Sequence, residues 1–61
     1  MNKDRVDALN IIRAVTNSTA ADLVKNCSSE KFDSEAFDIS IKELKQFLEL
    51  EMLLRDSMNG N

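Results

Sequence analysis

Carboxylates are the most numerous reactive side chains here, eleven Asp and Glu in 61 residues. Paired carboxylates are the usual tools of general acid–base chemistry. Glu43, Glu49 and Glu51 crowd one stretch. Yet 31% of the residues are charged, and a solvated helix face accounts for such spacing without any catalysis. Cys27 is the single thiol, and the sequence has no histidine to activate it; its expected role is that of a small buried apolar residue. Tyrosine and glycine-rich loops are absent, and the acids do not follow a calcium-loop pattern. A chain this short also struggles to enclose a pocket of a few hundred cubic ångströms. The expectation is a protein with no catalytic, metal or cofactor residue, and not an enzyme. The three methionines, Met52 and Met58 among them, read as ordinary core with some capacity for an adaptable interface.

The elements that position these side chains start with Ser40–Met58. Ser40-Ile41-Lys42-Glu43 has the form of a capping box, hydroxyl to the Glu43 N–H and carboxylate back to the Ser40 N–H. Leu44, Phe47, Leu48 and Leu54 then form one helical stripe, with Ile41 above and Met58 below. Leu50, Met52 and Leu53 fall beside or behind it. A helix covered on one side needs an apolar arc of roughly 100°. This arc is wider, so the helix is expected to be covered on two sides, the second cover being another copy of the chain.

The first half reads as a helix over about residues 3–27. Val6, Leu9, Ile12 and Val15 step by three, Asn2 or Asp4 can cap, and Asp4 and Asp7 suit the positive end. Thr16-Asn17-Ser18-Thr19 competes with a helix interior, so a bend near Asn17 stands beside the continuous reading. Leu9, Ile12, Thr16, Ala20, Leu23 and Cys27 hold one face across it. Lys25 suits the helix end, and Asn26 can take the left-handed terminating conformation. A connection over 28–39 follows. Phe37 and Ile39 alternate with Asp38 and Ser40, which suggests a short extended segment that a two-fold copy could pair. The competing reading caps a plain hairpin helix at Asp33 or Ser34. Asn59-Gly60-Asn61 is a stop signal with a frayed tail.

Sixty-one residues make one domain, marginal on its own. Proline is absent and Gly60 is the single glycine, which favours an all-α fold: helix, short extended segment, helix, in a symmetric homodimer. With neither disulfide nor metal available, oligomerisation is the remaining support. Leu44, Phe47, Leu48, Leu54 and Met58 form the expected core. Phe37, Ile39, Leu50 and Leu53 join Leu44, Phe47, Leu48 and Leu54 at the dimer or partner interface, with Leu9, Ile12 and Val15 packing from the first helix. The net charge is −3, near neutral in residues 1–27 and acidic beyond. That is a poor match to a nucleic-acid backbone, although a shape-specific RNA contact from the first helix stays open. The opening MNKDR carries no apolar leader, and no apolar run is long enough to span a bilayer. With a lone thiol, the expected location is the cytoplasm.

Two resemblances bear on function. Met1-x-Lys3, Ala8-Leu9-Asn10-x-x-Arg13, Thr19, Leu23 and Lys25 resemble the first helix of the plasmid repressor-of-primer proteins. Those are helical hairpins that dimerise into four-helix bundles and bind paired RNA loops. The resemblance implies RNA contacts at Lys3, Asn10 and Lys25. Ala14 stands where that family carries an aromatic contact, and Ser18 where it carries a glutamine. The whole chain also resembles, in size, helicity, acidity and lack of catalytic residues, the small early proteins encoded between the exonuclease and excisionase genes of lambdoid phages. That likeness implies a non-enzymatic regulator of host physiology or of the lysis–lysogeny choice, acting by binding a host or phage protein. An antitoxin or anti-repressor works by the same principle.

Overall fold

A computed structural model describes residues 3–59. The cap expected at Asn2 and the stop expected at Gly60 lie outside those residues. Two helices of 25 residues each, α1 (Lys3–Cys27) and α2 (Ser34–Met58), form an antiparallel hairpin, with no strand among the described residues.

α1 is continuous through the polar run. The Thr16 hydroxyl donates to the Ile12 carbonyl at 2.7 Å, so the helix itself satisfies the group that was expected to compete with it. The helix is not interrupted at Asn17. The helix closes with Ser28 N–H on the Val24 carbonyl (3.0 Å) and Ser29 N–H on that of Asn26 (3.2 Å). Lys25 lies in the last turn, as the helix dipole favours.

Asn26 stays helical and does not terminate α1 through a left-handed backbone. Its carboxamide spans the connection instead. Nδ2 donates to the Asp33 carbonyl at 2.8 Å, and Oδ1 accepts from the Asp33 N–H at 2.9 Å. Asp33 is thereby held extended, at φ −103° and ψ 105°, with its carboxylate accepting from the Ala36 N–H at 3.1 Å. It is the N-cap of α2.

This corrects two expectations. The connection covers residues 28–33, not 28–39, and Phe37–Ile39 is helical rather than extended. Ser40 lies two turns inside α2 and caps nothing. A lone extended segment would leave backbone donors without partners. Capping seven residues earlier supplies them, beginning with Phe37 N–H on the Asp33 carbonyl at 3.0 Å. Phe37 then meets Phe32 from the connection, ring centroids 5.5 Å apart.

The side chains that lose solvent mark the seam. On α1 its centre is Leu9, Ile12, Thr16, Thr19, Leu23 and Asn26, with Val6, Ala8 and Ala20 half-buried beside it; on α2 it is Phe37, Ser40, Leu44, Phe47, Glu51, Leu54 and Met58, with Ala36 and Ser57 beside it. Steps of three and four alternate along both, the 3.5-residue period of coiled-coil packing. Arg5 Nη1 reaches the Ser57 carbonyl (3.4 Å) and Arg13 Nε approaches Glu51 Oε2 (4.0 Å). With the Asn26–Asp33 pair, these contacts fix the register. That register brings Leu9 level with Leu54, Thr16 with Phe47, and Thr19 with Leu44, so in the middle of the seam small α1 side chains stand against large α2 ones.

The hairpin is one layer thick. Its extents are 47 × 15 × 11 Å, those of two helices side by side with no third element over either face. Its radius of gyration is 14.3 Å, against about 10.5 Å for a compact domain of this length. Among the described residues Leu9 alone is buried, at 7% exposure, and α2 has no buried residue.

Candidate interaction surface

The seam divides the eight residues expected at an interface. Phe37, Leu44, Phe47 and Leu54 are half-buried within the chain's own seam. Ile39, Leu48, Leu50 and Leu53 are exposed. Leu48, expected in the core, is 53% exposed. The 3.5-residue period carries the seam from Phe47 to Glu51 and bypasses it. Met58, Leu9 and Ile12 take their expected inward places, whereas Val15 lies at the edge, 40% exposed.

Glu51 is the residue that sequence reasoning missed. It was expected on the solvated face, yet its side chain is 17% exposed on the seam. Arg55 Nη2 contacts its carboxylate at 2.8 Å, one helical turn on, and Arg13 of α1 stands at 4.0 Å. Counting sevens along Phe37, Leu44 and Met58 would have found it.

The two arginines also define a side of the hairpin, because both turn toward Glu51 from the same flank of the seam. Helical spacing places Val6 and Ala20 of α1 on that flank, with Ile41 and Leu48 of α2; Met52 and Lys45 follow further out. On the opposite flank lie Ala8 and Val15 of α1 and Leu50 of α2, with Ile11, Ile39 and Leu53 further out. Large apolar side chains therefore remain open on both broad faces. Ile11, Met52 and Leu53 are each more than three-fifths exposed.

The flanks differ in charge. Lys3, Arg13, Lys45 and Arg55 line the first, against Asp38 alone. The second carries Asp4, Asp22, Lys25 and Glu43, the last three toward the connection. Glu49, Met52, Leu53 and Asp56 enclose an open groove of ≈ 290 Å³ on the outer side of α2. Its walls are successive turns of one helix, so it is a crease between side chains.

Cys27 is an exposed free thiol on the last turn of α1 and not the buried apolar residue expected. The helix face that carries Leu23 turns Asn26, not Cys27, into the seam. Lys3, Asn10 and Lys25 are all exposed on the side of α1 turned from α2, as are Ala14 and Ser18. No group of three acidic or thiol side chains could hold a metal ion among the described residues. No helix there is long and apolar enough to cross a membrane. No family model, curated protein or solved structure matches this chain.

Proposed function

We propose that this chain is a non-enzymatic regulatory protein that works as a symmetric homodimer and acts by occupying a surface of a protein partner. One observation carries the reading: the hairpin is a single layer with large apolar side chains open on both flanks of its seam. Isolated apolar side chains on a surface are ordinary, but contiguous rows of them mark interaction sites. The setting implied by the likeness to lambdoid early proteins is the cytoplasm of a bacterium carrying a phage or prophage. There the partner is a host or phage protein, and the outcome is a shift in host physiology or in the lysis–lysogeny choice. Antitoxin and anti-repressor are roles of the same kind. The test is affinity capture from bacterial lysate with the native chain and with a Leu48→Asp/Leu50→Asp variant. A protein retained reproducibly by the first and lost by the second is the expected result. If the native chain retains no protein, or both retain the same ones, the reading fails.

A second reading is an RNA-binding dimer of the repressor-of-primer kind. What supports it is the plain hairpin, with no strand among the described residues, together with Lys3, Asn10 and Lys25 exposed on the half of α1 turned from α2. These span roughly 33 Å at the helical rise. Binding to kissing RNA hairpins that disappears when all three become alanine would favour this reading over the first; no such binding removes it.

A further inference from the structure

The chain exposes 4936 Å², while a compact monomer of 6.9 kDa exposes about 4,000 Å² by the scaling of surface with mass. The excess is on the order of 900 Å², close to the roughly 800 Å² that each partner buries in a standard interface. A second copy covering one broad face supplies the missing layer.

The two faces are not equally suited to a copy of themselves. On the Arg13–Arg55 flank, the exposed apolar side chains are Val24 of α1, near the connection, and Ile41, Leu48 and Met52 of α2, and Arg13 and Arg55 interrupt them toward the middle and open end of the hairpin. A two-fold contact there sets this basic flank against itself, and like charges in apposition are costly. On the other flank the register brings Ile11 and Val15 of α1 level with Leu50 and Leu53 of α2. The patch draws on both helices, and its charges lie beyond it, Asp4 toward the open end and Asp22, Lys25 and Glu43 toward the connection. A two-fold axis needs such a self-complementary patch.

We infer that a second copy of the chain seats on the flank formed by Ile11, Val15, Leu50 and Leu53, leaving the Arg13–Arg55 flank open. This rests on the homodimer reading and specifies its geometry. Sedimentation equilibrium over a dilution series into the low micromolar range tests it, with circular dichroism to confirm helicity. The native chain and Leu48→Asp are expected at the mass of two chains, and Leu50→Asp and Val15→Asp at the mass of one. If the aspartate variants lose helicity, Ile11→Ser and Val15→Ser replace them; each is expected to weaken self-association at least tenfold, and unchanged association overturns the proposal. A native chain that sediments as one chain overturns the seat and the homodimer together, without touching partner capture. A dimer lost in Leu48→Asp but kept in Leu50→Asp overturns the seat alone and moves it to the other flank.

Discussion

Glu51 is the side chain whose placement tells most about this hairpin. A carboxylate on the seam pays desolvation, and the two arginines that face it are about half exposed, so their attraction is diluted by solvent. Removing one partner of a buried pair is destabilising when the other charge is left buried, but Arg13 and Arg55 stay solvated without Glu51, so an apolar side chain there removes the desolvation and strands no charge. Glu51→Leu is therefore expected to raise stability by about 1 kcal/mol, seen as a higher urea midpoint at fixed protein concentration. Arg13→Ala, losing a 4.0 Å contact, should move the midpoint by less than about 0.5 kcal/mol. A Glu51→Leu protein less stable than the native one would mean that the carboxylate is a net stabiliser. Glu51 was legible only through periodicity. Its residue type says surface, and the type misled because the seven-residue repeat of Phe37, Leu44 and Met58 outweighs it.

At the level of elements, the all-helical character was legible from the lack of proline and the apolar spacing. Where α2 begins was not. Two capping signals lie within eight residues, Asp33 and the Ser40–Glu43 box, and local pattern alone ranks the box higher. The contact that decides between them is Asn26 on Asp33, made across the connection between two helices. The substitutions that separate the alternatives are direct. Asp33→Ala is expected to cost about 1 kcal/mol, the usual loss for a removed N-cap. Ser40→Ala should be neutral or slightly stabilising, since alanine is the better helix former. Chemical denaturation of the two proteins reads both values, and the reverse order would restore Ser40 as the cap. Continuity of α1 was legible from the face that runs through Thr16; what no pattern supplies is the Thr16–Ile12 bond that makes the run tolerable.

For the whole molecule, the unusually wide apolar arc of α2 was readable before any fold, and it appears in three dimensions as open rows on both sides of the seam. The division of labour between those rows was not readable. It depends on which α1 residues come level with which α2 residues, and that register is set by long-range contacts such as Arg5 with Ser57. The half-buried state of Phe37, Leu44, Phe47 and Leu54 follows from the same geometry: two helices alone can shield a side chain on one side only. Half of the interface residues named from sequence thus turn inward, and the exposed half spreads over two faces of different charge.

The amide clamp at the apex also sets an order in time. Closing the seven-residue span from Asn26 to Asp33 costs about 1.8 kcal/mol less chain entropy than closing the 52-residue span from Arg5 to Ser57. The hairpin should therefore zip from the connection toward its open end. In a Leu50→Asp background that sediments as one chain, Asn26→Ala is expected to slow refolding and leave unfolding nearly unchanged. Leu9→Ala, far from the apex, should instead speed unfolding. Stopped-flow rates assign each residue to early or late structure. If Leu9→Ala slowed refolding more than Asn26→Ala, the chain would begin to fold where its ends meet.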